Sequence, residues 1–448
     1  MMYEAESGAI SIALLGDTIP TRRLSVFQEE RFLRIRELLT QADAVFSNLE
    51  APVGRYLELP HAQRPGGGTY MTTEPHLLED LKWLGINMLA CGSTHSDDYG
   101  PAGIVRTIEL LDRARMVHAG SGRHLAEAQA PAYLETPGGR VALIAALASF
   151  NPQGRAGEQR RETAGYPGIN ALRNRTVYEV DAETLEAARR LGKVIGWDAE
   201  MGRQHALGES GGRGGDLYNL LGHTFVLGSA SAVRSYANET DVEANVRQIR
   251  LAKSMADRVI VSLHSHELGG PSYFTAKTSG DLDEPAEFVL EFAHRCIDAG
   301  ADVFAGHGPQ VPLGIEIYKG KPIFYGLGSF INQLETVRYL PDQAYERYGL
   351  GVEATPVDFA EHRYGGISGG TRRWEQAFAI CDFAGERIKE IRLHPLELGA
   401  GQPRARRGRP LMAEGEVAER IIGRIASLSA KYGTGVEYRD GIGLIRER

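Results

Sequence analysis

Apolar and polar positions alternate in blocks over roughly the first 330 residues. Apolar runs at 10–15, 44–46, 87–90, 259–263 and 303–305 have the length and composition of buried strands. Stretches with helical periodicity lie between them, at about 27–39, 75–84, 101–114 and 241–257. Thr73 is a candidate N-cap for the second, and Pro101 opens the third. A short strand is predicted at 116–118. Runs at 132–135 and 140–147 flank Pro137-Gly138-Gly139, and 315–326 turns at Lys319-Gly320-Lys321, so both read as hairpins. Alternating strands and helices predict an α/β architecture, and the hairpins predict mixed sheets.

Residues 151–235 break the pattern with many Gly and Arg, as in 208–216, and show one clear helical stretch at 183–191. They read as an insertion or lid. The chain is irregular after Phe330, apart from a strand pair at 376–383 and 387–393 and an amphipathic helix at 414–432. The expected organisation is a domain over 1–335 holding the insertion, with a C-terminal extension over 336–448 packed on it.

Each of the five apolar runs ends at a residue able to bind a metal. Asp17 follows the first, although an Asp after Gly16 equally suits a turn or helix cap. Asn48 and Glu50 follow the second, two apart and so on one face of an extended chain. His95 follows the third, with Asp97 and Asp98 nearby to orient its other ring nitrogen or to serve only the turn. His264 and His266, beside Glu267, follow the fourth and are the most specific local signal. His307 follows the last, between two glycines. His118 and His124 are candidates for the same edge, whereas His61, His76, His205, His223, His294, His362 and His394 read as surface or satisfied residues.

Composition narrows the classes. A formal charge of -8 argues against a nucleic-acid partner, so an anionic substrate would need a local positive source. Arg155, Arg160, Arg161, Arg173, Arg175, Arg372 and Arg373 can supply one, though loop arginines are ordinarily just solvated. Three scattered cysteines indicate neither a disulfide framework nor a thiolate zinc site. No run reaches the ~20 apolar residues of a membrane span, and the first residues lack a signal peptide's basic segment, so a cytoplasmic protein is expected. No GxSxG elbow between a strand and a helix is indicated, and GxxxxGK[ST] and HExxH motifs are absent.

Taken in order, Gly16-Asp17, Asn48-Leu49-Glu50, the 91–100 stretch, 262–267 and 306–330 resemble the CapA family of poly-gamma-glutamate capsule biosynthesis proteins. The resemblance implies a calcineurin-like metallophosphatase sandwich with its site at the strand ends. It makes Asp17, Glu50, His264 and His307 metal ligands, with Glu50 bridging, and His95 the catalytic histidine. Thr94 and Gln310 stand where the family usually has asparagine and histidine. Both are weaker ligands, and His266 is the candidate replacement, giving a shifted or single-metal site. Asn48, Thr94, Asp97, Glu267 and Gln310 are expected around the ligands or substrate.

The function expected is hydrolysis of an ester, amide, lactone or phosphoester bond in an anionic small molecule or polymer. One or two manganese, iron or zinc ions would activate water and polarise the bond. The rival is a non-catalytic binding or assembly protein for an anionic polymer. A ligase role lacks any nucleotide-binding motif. Oligomeric state is not legible in the sequence.

Overall fold

The computed structural model describes residues 9–59, 70–206, 217–229, 231–269, 283–364 and 371–446. The 208–216 stretch, His61 and most of the 364–373 stretch lie outside these. So does the side chain of His205. The chain forms two compact units: one of residues 1–172, 240–266 and 292–448, the other of 173–239 and 267–291.

The larger unit is built on two sheets. In the first, Ile10–Ile19 lies beside Ala44–Leu49, then Met88–Ala90, then Val117–Ala119, all parallel. Its other neighbour is Glu375–Ala384, antiparallel, which pairs with Arg387–Glu397. Ser329–Asn332 joins the far end of Ile10–Ile19 in parallel. In the second sheet, Gly139–Leu147, Arg258–His264 and Val303–His307 are parallel neighbours. The two hairpins flank them, Ala132–Thr136 on one edge and Ile315–Tyr318 with Lys321–Phe324 on the other. Mixed sheets and helices therefore appear as the sequence pattern required.

The first strand shows how the core forms. Ile12 and Leu14 point into the cluster shared with Leu143, Ile260 and Val303 of the second sheet. Ala13 and Leu15 point the other way, against Phe32, Ile35, Leu39, Leu81 and Leu111. Period-two side chains are buried on both faces, which explains an unbroken apolar run rather than an alternating one. The second cluster draws on the helices Glu30–Thr40, Leu77–Trp83 and Gly100–Arg113.

Thr73 caps no helix. Its hydroxyl donates to the Pro20 carbonyl at 3.1 Å, and its backbone pairs with the Pro52–Gly54 segment. Cys91, Cys296 and Cys381 are buried free thiols, and burial pushes Cys91 up to about 12.

The smaller unit carries a four-stranded sheet where the hydrophobic pattern suggested no sustained strands. Its order is Tyr218–Leu220, His223–Leu227, Asn174–Val180, Ala232–Ala237. The helix Ala182–Val194 is capped by Asp181, whose carboxylate accepts from the Thr184 N–H at 2.8 Å. Among the described residues no helix is long and apolar enough to cross a membrane.

His394 is neither exposed nor hydrogen-bonded, contrary to expectation. It is 5% exposed, and its ring stacks 4.8 Å from Phe378, its cross-strand partner. Neither ring nitrogen has a hydrogen-bond partner among the described residues. Burial, with help from Arg392 and Arg34, lowers its pKa from 6.5 to about 4. The unfolded chain therefore takes up this proton first as the medium acidifies. The stabilisation is complete above pH 6.5 and is lost as pH falls towards 4, by about 3 kcal/mol in all. Urea unfolding at pH 7 and 4.5 should show a smaller acid loss for His394→Phe than for the wild type; equal losses would refute this assignment.

Candidate metal centre

Strand register gathers the polar residues. Asp17 pairs with Asn48 across the first sheet, and His264 pairs with His307 across the second. All lie at the carboxyl ends of parallel strands, where side chains of both sheets converge. Gly16 makes the approach possible: a Cβ there would overlap the Gly328 carbonyl, which accepts from the Asp17 N–H at 2.8 Å. The pairing of the first strand also shifts register between Leu14 and Asp17, a bulge that re-aims the strand end.

Asp17, Asn48, Glu50, His264 and His307 are all at most 1% exposed. Asn48 Nδ2 donates to Asp17 Oδ1 at 2.8 Å and stands 3.1 Å from His264 Nδ1. His307 Nδ1 is 3.2 Å from Asp17 Oδ1, and the Phe46 ring packs edge-on to the His307 imidazole. On its other side, His264 Nε2 lies 3.3 Å from His266 Nε2 and 3.9 Å from Glu50 Oε1. His264 thus has one nitrogen towards the Asp17 group and the other towards Glu50 and His266.

Electrostatics follows from this crowding. Burial alone would raise the Asp17 carboxyl, but His307, His264 and Asn48 outweigh it and hold it below the ordinary range. Burial drives the His264 imidazole well below its usual pKa; Asp17 opposes this, while His266, His307 and His95 add to it. Asp17 is thereby held as the carboxylate and His264 as the neutral imidazole, the forms that bind divalent metals.

Two features test the fit of a metal. One donor atom from each of Glu50, His264 and His266 lies within 4.8 Å of the others. Donors around one ion at about 2.1 Å stand about 3–4 Å apart, so a small inward movement suffices. Asp17 Oδ2, Asn48 Oδ1 and His307 Nε2 are buried with no hydrogen-bond partner among the described residues, an arrangement that a cation would satisfy. The donor set fits a divalent ion.

The remaining candidates divide. Thr94 Oγ1 lies 3.4 Å from His266 Nε2, at the edge of the group. His95 is close enough for its charge to weigh on His264. Its Nδ1 lies 2.8 Å from Asp98 Oδ2, and that fully buried carboxylate also accepts from the Met71 N–H at 3.0 Å. Asp98, not Asp97, is therefore the partner of His95; Asp97 instead accepts from Asn151 Nδ2 at 3.1 Å. Gln310 lies beyond His307 with a left-handed backbone, φ 59°. Glu267 falls in the smaller unit. His118 pairs with Asp112 at 3.0 Å, and His124 Nδ1 accepts from the Glu127 N–H, so neither is drawn into the group.

A family profile described as "Bacterial capsule synthesis protein PGA_cap" matches residues 11–334. The chain belongs to this family. It is 33% identical over 97% of its length to the uncharacterized protein y4sH of Sinorhizobium fredii, covering 93% of that protein. It is also 33% identical to the PGA biosynthesis protein CapA of Bacillus subtilis, over 32% of this chain and 36% of that one. A "Probable polyglutamine synthesis accessory protein" of Mycobacterium tuberculosis is 35% identical over 23% of this chain and 24% of its own. The family match takes in all five strand ends and stops before the C-terminal strands.

Gly16→Ala tests the close approach of the strands. Forcing a methyl group against the Gly328 backbone should cost about 1–3 kcal/mol in urea unfolding; unchanged stability would show that the strand ends have room to spare.

Proposed function

We propose that this chain is a metal-dependent hydrolase of CapA type, on a calcineurin-like sandwich, acting on an ester, amide, lactone or phosphoester bond of an anionic substrate. The single observation that carries the reading is the close group of two carboxylates and three imidazoles, in which Asp17 Oδ2, Asn48 Oδ1 and His307 Nε2 are buried with no hydrogen-bond partner among the described residues. A structural polar cluster would be expected to satisfy its own atoms.

Glu50, His264 and His266 would hold one divalent ion, and Asp17 and His307, with Asn48, would hold or support a second. Such an ion supplies positive charge that polarises the scissile group and acidifies water. In a chain of net charge -8 it also supplies the attraction an anionic substrate needs. Asp98, buried and anchored by the Met71 amide, accepts from His95 Nδ1–H. That leaves His95 Nε2 to give a proton to the leaving group. Thr94 borders this space and can donate its hydroxyl.

The second reading is an anionic-polymer binding or assembly protein without catalysis. It is favoured by Thr94 and Gln310, weak ligands at positions the CapA resemblance gives to asparagine and histidine, and by the accessory role in the mycobacterial relative's name.

Metal analysis of the purified chain should find one or two divalent ions, lost in His264→Ala; a metal-free wild type after growth in manganese, iron and zinc would end the hydrolase reading. In a screen of phosphoesters, lactones and glutamyl amides, His95→Ala should lower kcat by roughly 10²–10⁴-fold without loss of bound metal. Polymer binding with no turnover of any class would favour the second reading.

A further inference from the structure

Gln376 lies near the start of the Glu375–Ala384 strand, beyond the 11–334 family match, and is fully buried. Its Oε1 accepts from the Ser329 N–H at 2.8 Å. Its Nε2 donates to the carbonyls of Gln310 at 3.1 Å and Arg373 at 2.9 Å, with the Arg372 carbonyl at 3.5 Å. A donor at one end and acceptors at the other fix which way the amide points.

Two of these contacts reach the frame of the metal centre. Ser329 is the register partner of Asp17, and the adjacent Gly328 carbonyl receives the Asp17 N–H. Gln310 is three residues past His307 and holds a left-handed φ of 59°. A non-glycine residue keeps that conformation only where its surroundings impose it. The Gly328 turn, φ 69°, is also shaped around this amide, because a Cβ there would overlap Gln376 Oε1.

We propose that Gln376 is a positioning residue for the metal centre. The two ends of one side chain hold the loop after His307 and the turn beneath Asp17 in fixed relation. The strand that follows the family-matched region thereby helps to set how tightly the centre binds its ion. The inference rests on the metal-centre reading above. It differs from a packing role, in which loss of the amide would lower stability but leave metal affinity intact.

The test is Mn²⁺ titration calorimetry on the full chain, with thermal unfolding of the metal-free protein alongside. Gln376→Met, similar in shape but without the amide, should unfold cooperatively and bind Mn²⁺ about 10–100-fold more weakly. Gln376→Glu keeps an oxygen for the Ser329 N–H and loses the donors to Gln310 and Arg373. It should weaken binding in the same direction and carries the test if the methionine variant does not fold. Wild-type affinity in either folded variant, whatever its stability, would overturn the proposal. A wild type that binds no Mn²⁺ would instead overturn the metal-centre reading, and this inference with it.

Discussion

Two carboxylates, Asp17 and Glu50, are held out of water where the strand ends of two sheets meet. A buried charge without compensation costs several kcal/mol, so whatever surrounds these groups must answer them. Three imidazoles and an amide do so in part: His307 and Asn48 at Asp17, His264 between the two acids, His266 beyond. The compensation inside the protein is incomplete, because Asp17 Oδ2 and His307 Nε2 remain buried and unpartnered among the described residues. A divalent cation would meet all of these demands at once.

The sandwich exists in a form that makes this crowding possible. Parallel neighbours within each sheet deliver Asp17 beside Asn48 and His264 beside His307 at matching heights. Apolar side chains on both faces of the strands lock that register, since a one-residue slip would carry polar ends into the core. Gly16 lets the first strand touch the Gly328 turn. Gln376 ties that turn to the loop after His307 from a strand outside the family match. The centre thus depends on both the family region and the strands that follow it.

Much of this was legible in the chain itself, for identifiable reasons. The 259–263 run and its two histidines stood out because a strand buried on both faces is continuously apolar and its polar end is abrupt. The strands of the smaller unit did not stand out. Asn174–Val180 and Ala232–Ala237 are largely half-exposed, so polar residues interrupt their pattern. Thr73 resembled a helix cap because its real partner, Pro20, is distant in sequence. Asp97 and Asp98 could not be ranked from spacing; a turn with Asp98 N–H on the His95 carbonyl brings the second back to the imidazole. Gln376 gave no signal, since its partners Ser329 and Gln310 are 47 and 66 residues away.

The most direct test of the buried group as a metal centre is pulsed electron paramagnetic resonance of the chain loaded with Mn²⁺. Histidine nitrogen couplings to the ion are expected, diminished in His266→Ala and lost or strongly reduced in His264→Ala. A spectrum of fully hydrated Mn²⁺, with no nitrogen coupling and no response to either substitution, would contradict a metal bound at these strand ends.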